Sequence, residues 1–369
     1  RAGICGDCGR ASAGNTQNGA DWGCGGDNGS GLNRRCARNA HAKRCITTGC
    51  ESETKIMKMV ESNDFSGLRG TLRLNEPMAE HVSWRAGGIA DRAYIPADLD
   101  DLASFFKTCS DDEVIHMVGL GSNLLVRDGG VRGTVILLHG ALQKLRLEPG
   151  AQEHGMIYAE AGVASPKIAR FAAVNGFQGA EFLAGIPGTL GGALAMNAGC
   201  YGSEIWEIVA QALSIGRDGT LNLRRPADYD IGYRSVVLHS KAEEWFAAAW
   251  LKLPRGNSIA AQEKVRDLLK RRIMSQPLNM PNAGSVFRNP PGVFAAQLIE
   301  QCGLKGMRVG GAMVSTKHAN FIVNTGAATA ADIEALIEKV RLRVRQECGI
   351  ELETEVRIIG EARGVRIKE

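Results

Sequence analysis

The middle of the chain contains a glycine-rich run without charge, Gly185-Ile186-Pro187-Gly188-Thr189-Leu190-Gly191-Gly192-Ala193, which leads into Met196-Asn197-Ala198-Gly199-Cys200-Tyr201-Gly202. Four of the eight residues from Gly185 to Gly192 are glycines, so the main chain can approach a neighbouring surface closely. Such a run suits a backbone that lies flat against a large planar ligand and hydrogen-bonds its polar edges. The alternative is a tight apolar crossover packed on a sheet.

A second glycine loop, Gly119-Leu120-Gly121-Ser122-Asn123, directly follows a strand-like stretch at 114–118. Its glycines let backbone N–H groups approach a ligand, Ser122 and Asn123 add side-chain donors, and phosphate oxygens are natural acceptors. A plain strand-to-loop turn is the alternative. The third glycine and the following helix of a Rossmann fingerprint are missing. Together, the two loops predict a dinucleotide bound outside a Rossmann fold.

Short apolar runs alternate with amphipathic helices from about Glu80 onward, which indicates an α+β or α/β fold. The pattern predicts strands at 92–95, 114–118, 135–138, 142–147, 156–161, 208–215, 221–224, 245–253, 312–314, 321–323 and 352–359. It predicts helices at 99–108, 165–175, 259–274, 294–302 and 330–348, the second one capped by Ser165.

The first 56 residues differ in composition from the rest of the chain. Six of the ten cysteines and eleven of the 46 glycines precede residue 51, where Val, Phe, Met and Pro are absent. Such a stretch cannot bury a core, and we expect it to be disordered or an upstream extension of the reading frame. A zinc module using Cys5, Cys8 and His41 is the alternative, but a second close ligand pair is missing.

The segment PNAGSVFRNP, Pro281 to Pro290, places Ser285 on a rigid turn. Pro281, Asn282 and Gly284 are turn formers, so the serine hydroxyl is held in a fixed direction. Its ordinary role would be to cap the turn by bonding a nearby backbone N–H. The sharper interpretation is a proton donor.

Three further groups have both a functional and a structural interpretation. Arg234, expected between a small helix and a strand, would clamp a carboxylate, although an exposed ion pair is the alternative. The strand predicted at 352–359 would put Glu353, Glu355 and Arg357 on one face, which would ordinarily be solvated. His318, before an apolar strand, offers a donor for phosphate or amide groups, or is part of a surface turn.

Charge and hydropathy exclude several classes of partner. The net charge is +4, but residues 57–369 hold 36 basic and 35 acidic residues, and no basic stripe predicts nucleic-acid binding. No window approaches about 18 consecutive apolar residues and no signal-peptide pattern is present, so we expect no membrane partner and a cytoplasmic location. No metal site is expected in the body of the chain, and its four scattered cysteines fit a reducing compartment.

Six stretches, in order, closely resemble the UDP-N-acetylenolpyruvoylglucosamine reductases, the MurB flavoenzymes of peptidoglycan synthesis. They are GLGSNLLV from Gly119, AGIPGTLGGALAMNAGCYG from Ala184, GYRS from Gly232, QPLNMPNAGSVFRNP from Gln276, LIEQCGLKGMRVGGAMVSTKHANFIVN from Leu298 and LETEVRIIG from Leu352. The resemblance covers about Glu80 to Gly360, and six ordered motifs are far more specific than any one of them.

The resemblance implies an α+β fold, with an FAD-binding domain of the vanillyl-alcohol-oxidase (PCMH) type in two subdomains and a C-terminal α+β substrate-binding domain. We expect these at residues 57–140, 141–257 and 258–369. It implies non-covalent FAD, NADPH as hydride donor, and reduction of UDP-N-acetylglucosamine enolpyruvate to UDP-N-acetylmuramate. We expect a monomer. Only 51 positions separate Arg234 from Ser285, which resembles the type II members that lack an inserted subdomain.

The matching motifs also imply roles for individual residues. Ser285 would donate the proton, with Arg234 and Glu355 about the substrate carboxylate. The substrate or its diphosphate would contact Tyr233, Arg288, Asn289 and His318, where many relatives have lysine in place of Arg288. FAD would contact Gly119, Gly121, Ser122, Asn123, Gly185, Ile186, Pro187, Gly188, Gly191, Gly192, Asn197, Gly199 and Tyr201.

Two rival functions follow from the same residues. A related FAD oxidase would often tether its flavin to a histidine near the first loop, and no histidine lies between Gly119 and Arg132. A catalytically silent flavin- or nucleotide-sugar-binding protein is opposed by the intact set of Ser285, Arg234 and Glu355.

Overall fold

The computed structural model describes residues 65, 67–149 and 154–364. The predictions for residues 1–56, including the zinc alternative, lie outside the described residues. The strands are β1 (Thr71–Pro77), β2 (Ile89–Ile95), β3 (Ile115–Val118), β4 (Leu124–Val126), β5 (Val131–Leu137), β6 (Leu145–Leu147), β7 (His154–Glu160), β8 (Gly199–Cys200), β9 (Ser203–Glu204), β10 (Val209–Gly216), β11 (Leu221–Arg224), β12 (Tyr229–Gly232), β13 (Ser235–Leu238), β14 (Glu244–Pro254), β15 (Arg308–Val309), β16 (Ala312–Val314), β17 (Ile322–Asn324) and β18 (Arg357–Ile359). The helices are α1 (Leu99–Thr108), α2 (Ser165–Val174), α3 (Leu190–Ala195), α4 (Ser258–Ser275), α5 (Ala295–Gln301) and α6 (Ala330–Cys348). Short 3-10 turns occupy Met78–Glu80, Glu181–Gly185, Ile205–Glu207 and Pro226–Asp228.

The first sheet has the strand order β1-β2-β5-β3, in which only β1 runs antiparallel to its neighbour. Helix α1 covers it because its apolar side chains recur at helical spacing, and Leu102, Phe105 and Phe106 are buried. Asp98 caps α1 by accepting a hydrogen bond from the Asp101 N–H. The first glycine loop leaves this sheet at the end of β3.

The second sheet is antiparallel throughout, in the order β11-β10-β14-β7-β6. Helices α2, α3 and α4 contribute to one core with it, and Ile168, Leu190, Leu251 and Val265 are buried there. Helix α2 differs from the prediction in its N-terminal cap. The helix starts at Ser165 itself, and the Ser165 side chain caps nothing. The second glycine loop joins the Glu181–Gly185 turn to α3.

The third sheet, β15-β16-β17, packs with α5 and α6 around Ile299, Val314 and Ile337. Trp84 and Leu125, from much earlier in the chain, are buried in the same core. Among the described residues, no helix is long and apolar enough to cross a lipid bilayer.

The strand predicted at 352–359 is wrong over most of its length, because only β18, Arg357–Ile359, is regular. The N–H groups of Glu355 and Val356 both point at the Val286 carbonyl, at 2.7 and 3.4 Å, so the chain bends there and alternation is lost. Glu353 and Glu355 therefore do not share a face: the Glu353 side chain is 75% exposed, whereas that of Glu355 is 13% exposed.

Candidate active site

The two glycine loops contact each other. A Cβ atom added to Gly119 would collide with the hydroxyl of Thr189 in the second loop. A Cβ atom on Gly188 would lie 3.3 Å from Ser122 Oγ, and the Gly188 carbonyl accepts a 2.9 Å hydrogen bond from the Ser165 N–H. Glycines therefore stand where the loops meet.

The glycines of the second loop serve two purposes. A Cβ on Gly185 would lie 2.5 Å from Cys200 Sγ, and one on Gly191 would lie 2.9 Å from Ala161 Cβ. These two glycines permit tight packing, as the crossover interpretation expects. A Cβ on Gly192, in contrast, would meet nothing closer than 3.9 Å, so open space lies beside it.

Two buried hydroxyls beside these loops, Thr189 Oγ1 and Ser165 Oγ, find no hydrogen-bond partner among the described residues. A buried hydroxyl without a partner is costly, so each of these groups would gain from an acceptor bound within its reach. Together with the Ser122 side chain, they fit the diphosphate of the predicted dinucleotide.

Some predicted cofactor residues direct their polar atoms at protein partners. Asn123 Nδ2 donates to the Glu355 carbonyl at 3.0 Å, and the Tyr201 hydroxyl donates to the Leu268 carbonyl at 3.0 Å. Asn197, buried with a φ of 43°, donates to Glu204 and Gly232, as described below. The others keep the loop shape or line it: Gly121 has a φ of 57°, Ile186 is buried and Pro187 faces a cavity.

Arg234 lies in the two-residue turn of the β12–β13 hairpin, with a φ of 55°, and not between a helix and a strand as predicted. Its Nε donates to Glu355 Oε1 at 2.9 Å, Nη1 donates to the Asn197 carbonyl at 3.3 Å, and Nη2 donates to the Gly199 carbonyl at 3.1 Å. The guanidinium also lies 4.9 Å from the centre of the Tyr233 ring. Four contacts thus fix the orientation of this cation.

The Ser285 segment runs beside the terminal segment that contains Glu355. The Glu355 N–H donates to the Val286 carbonyl at 2.7 Å, and the Arg288 N–H donates to the Glu353 carbonyl at 2.9 Å. Because Ser285 precedes Val286, the hydrogen bonds that fix Glu355 also fix the backbone beside Ser285. The segments that contain Ser285 and Glu355 therefore adjoin, although they are distant in the sequence, and Glu355 in turn contacts Arg234.

Asn282, and not Ser285, closes the serine turn. Asn282 Oδ1 accepts from the Gly284 N–H at 3.0 Å, its Nδ2 donates to the Met280 carbonyl at 2.8 Å, and Gly284 has a φ of 73°. The capping role considered for Ser285 is thus filled by another residue. Within the described part of the chain, the half-buried Ser285 hydroxyl has no hydrogen-bond partner.

The predicted substrate residues lie at two places. Arg288 Nη2 donates to the Arg234 carbonyl at 3.4 Å, and the Asn289 N–H donates to the Tyr233 hydroxyl at 3.4 Å, so Tyr233, Arg288 and Asn289 adjoin the arginine hairpin. His318 packs edge-on against Phe321, which lines the cavity. Burial lowers the pKa of His318, and Lys305 acts in the same direction.

Burial raises the pKa of Glu355, while Arg234 acts in the opposite direction. Even beside Arg234, the Glu355 carboxyl group therefore holds its proton more readily than an exposed glutamate does.

An open cavity of about 360 Å³ lies between the first loop, the second loop and the serine turn, and it includes residues that the sequence did not single out. Arg85 and Arg272 line it, no Asp or Glu does, and Arg272 Nε donates to Gln276 Oε1 at 3.1 Å. Burial lowers the pKa of Arg272. In the sequence, Arg272 resembles an ordinary cation at the end of a helix, which is why the pattern did not indicate it.

Two family models match the chain. One is described as an FAD binding domain and matches residues 90–222; the other is the UDP-N-acetylenolpyruvoylglucosamine reductase C-terminal domain and matches residues 276–359.

Curated relatives match over nearly their whole length. The UDP-N-acetylenolpyruvoylglucosamine reductase of Thiobacillus denitrificans is 61% identical over 303 residues, which are 80% of this chain and 94% of that protein. The enzyme of the same name from Nitrosospira multiformis is 55% identical over 326 residues, with 82% and 94% covered. The crystal structure of UDP-N-acetylenolpyruvylglucosamine reductase (MurB) from Thermus caldophilus is similar with a TM-score of 0.67 at 31% identity, covering 79% of this chain and all of that one.

Proposed function

The chain belongs to the UDP-N-acetylenolpyruvoylglucosamine reductase (MurB) family, and we propose how its own residues perform that reaction. The enzyme reduces UDP-N-acetylglucosamine enolpyruvate to UDP-N-acetylmuramate, a step of peptidoglycan precursor synthesis, with FAD as cofactor and NADPH as reductant. When bound, FAD would supply the hydride-transfer chemistry that links NADPH to the enolpyruvyl β-carbon. The two glycine loops would hold it, with Thr189, Ser165 and Ser122 at its diphosphate.

We propose that Ser285 donates the proton to the substrate α-carbon. Once the β-carbon has received a hydride, the α-carbon has enolate character and is a strong base. A serine hydroxyl is a weak acid, so it donates effectively only to such a strongly basic acceptor. The observation that supports this role is the free hydroxyl of Ser285, on a turn that Asn282 closes.

Arg234 and Glu355 would contact the substrate carboxylate. The guanidinium neutralises charge that builds up when the α-carbon becomes enolate-like, and a positioned cation in a partly buried site is effective in this role. Burial raises the pKa of Glu355, which favours the protonated carboxyl group that can donate a hydrogen bond to the substrate carboxylate. Tyr233, Arg288, Asn289 and His318 would bind the remainder of the nucleotide sugar.

One observation carries this proposal: the Arg234–Glu355 pair, at 2.9 Å, is locked to the Ser285 segment by the Glu355 N–H to Val286 carbonyl bond. The test is an NADPH oxidation assay with purified, FAD-reconstituted protein. We expect NADPH to be consumed rapidly only when the enolpyruvyl substrate is added, with one UDP-N-acetylmuramate formed per NADPH. Protein that binds no FAD, or oxidation that is indifferent to the substrate, would contradict the proposal.

We further propose that the enzyme works as a monomer in the cytoplasm, where its nucleotide-sugar substrate and NADPH are available. Size-exclusion chromatography with light scattering checks the monomer: a mass near 39.4 kDa is expected, and twice that mass would contradict it.

A further inference from the structure

Besides Glu355, Arg234 has a second carboxylate neighbour, Glu204. Glu204 Oε1 is 4.0 Å from Arg234 Nη1, and the Glu204 side chain is 35% exposed. This distance is too long for a direct hydrogen bond, so Glu204 acts on Arg234 by charge and through intervening groups.

Asn197 is the group that joins Glu204 to Arg234. Its Nδ2 donates to Glu204 Oε2 at 2.6 Å and to the Gly232 carbonyl at 3.1 Å, at the start of the turn that holds Arg234. Its own carbonyl accepts from Arg234 Nη1 at 3.3 Å. Asn197 donates both of its amide hydrogens. Its buried carboxamide therefore links Glu204 to the β12–β13 hairpin, whose turn contains Arg234.

The β8–β9 hairpin places Glu204 opposite Gly199, whose carbonyl accepts from Arg234 Nη2 at 3.1 Å. A Cβ on Gly199 would lie 2.8 Å from Glu204 Cγ, 2.9 Å from the Ser203 carbonyl oxygen and 3.4 Å from Arg234 Nη1. A residue with a side chain at position 199 would therefore press on both Glu204 and Arg234. The hairpin fixes Glu204 only because position 199 is a glycine.

The hydrogen bonds of the Arg234 guanidinium show which of its N–H groups already have partners. A guanidinium has five N–H donors in a fixed plane. Glu355, Asn197 and Gly199 take one each, and Glu204 Oε1 lies 4.0 Å from Nη1. One Nη2 hydrogen is left without a partner among the described residues, and the plane of the fork determines where it points.

We propose that Glu204 is a positioning residue, which through Asn197 sets the plane of the Arg234 guanidinium for the carboxylate of the enolpyruvyl substrate. This inference rests on the proposed role of Arg234 as the carboxylate ligand. Glu204 itself touches neither the substrate nor the reacting carbon. Loss of Glu204 should therefore weaken the binding of ligands that have the carboxylate and leave the binding of ligands without it unchanged.

The test uses titration calorimetry to compare the affinities of FAD-loaded protein for two ligands. UDP-N-acetylmuramate has the carboxylate, and UDP-N-acetylglucosamine lacks it. Glu204→Ala should weaken binding of the first between about tenfold and a hundredfold, as expected for a displaced clamp, and leave binding of the second within about twofold. Glu204→Gln, which can still accept from Asn197 Nδ2, should lie between wild type and Glu204→Ala.

Glu207→Gln is the matched control, because Glu207 is an exposed glutamate three residues away, and both affinities should stay at wild-type values. Glu204→Gln, which keeps the size of the side chain, serves as the second variant if Glu204→Ala fails to fold. Equal weakening of both ligands, or no weakening, in both variants would overturn the inference. If the proposed function itself failed, wild-type protein would not prefer the carboxylate ligand at all.

Discussion

Glu355 is a residue on which two influences on the pKa compete. Burial raises the pKa of this carboxyl group, Arg234 lowers it, and the result is a raised value. The folded protein therefore holds the proton more tightly than the unfolded chain. The stability from this proton is complete below the unfolded pKa, about 4.3, and is lost as the pH rises through the folded pKa.

Glu355→Gln removes this proton equilibrium. The free energy of unfolding of the variant should rise relative to that of wild type as the pH increases from about 4 to about 7, because only wild type loses the contribution of the proton. Urea unfolding of both apoproteins across this range measures the difference. A difference that falls as the pH rises for Glu355→Gln would contradict the raised pKa.

The resemblance to the family singled out Ser285, Arg234 and Glu355 because each lies in one of its motifs, and their roles remain a proposal. It did not identify Glu204, whose importance depends on a hairpin that places it opposite Gly199. It also assigned Asn123 and Asn197 to the cofactor, whereas their carboxamides bond Glu355, Glu204 and the arginine hairpin. Side-chain direction depends on contacts between remote segments, which no local pattern contains.

At the scale of elements, helix α3 offers a matched pair of glycines. Gly191→Ala should lower the stability of the apoprotein by about 1–3 kcal/mol, because its Cβ overpacks against Ala161. Gly192→Ala should leave that stability unchanged or raise it by about 0.5–1 kcal/mol, because alanine is the better helix former and open space surrounds the position. Thermal and urea unfolding of the two apoproteins measure these changes.

The effects of these two substitutions on FAD affinity should differ from their effects on stability. If the cofactor occupies the open space beside Gly192, Gly192→Ala should weaken FAD binding at least about fivefold, by an overpacking cost of about 1–3 kcal/mol. Fluorescence titration of apoprotein with FAD measures it. Unchanged FAD affinity in Gly192→Ala would show that the cofactor lies elsewhere.

Most regular elements were predictable because their hydrophobic period is local. Helices α1 and α6 have the predicted bounds, and the strands predicted at 208–215 and 221–224 form as β10 and β11. The strand at 352–359 failed because a bend at Val356 depends on the distant carbonyl of Val286. Ser165 failed as a cap because it is the first residue of the helix, and Ala164 occupies the cap position.

At the scale of the whole molecule, the predicted α+β class, with an FAD-binding part and a C-terminal MurB domain, is confirmed by the family matches. The boundary between them remains a proposal, and the packing favours one near residue 276 over the predicted 258. Helix α4 contributes Ala261 and Val265 to the core of the second sheet. Strand β18 pairs in parallel with β4, so the end of the C-terminal part closes on the first loop.

All the residues proposed for the site lie between Gly119 and Glu355. Protein that begins at Met57 should therefore bind FAD and turn over with kcat and KM within about twofold of the full chain, since the cores in the described residues start at Phe65. Steady-state kinetics of the two forms check this. Failure of the shorter form to fold or to bind FAD would mean that residues 1–56 belong to the working protein.

The central claim is that Ser285 protonates the α-carbon, and rapid-mixing measurement of the two half-reactions of Ser285→Ala tests it most directly. Reduction of the flavin by NADPH should stay within about twofold of wild type, and reoxidation by the enolpyruvyl substrate should fall by about 100-fold or more, the range expected for loss of a general acid. Ser275→Ala, an exposed serine that bonds its own helix, should leave both rates unchanged. An equal fall of both half-reactions in Ser285→Ala, or no fall in the second, would contradict the account.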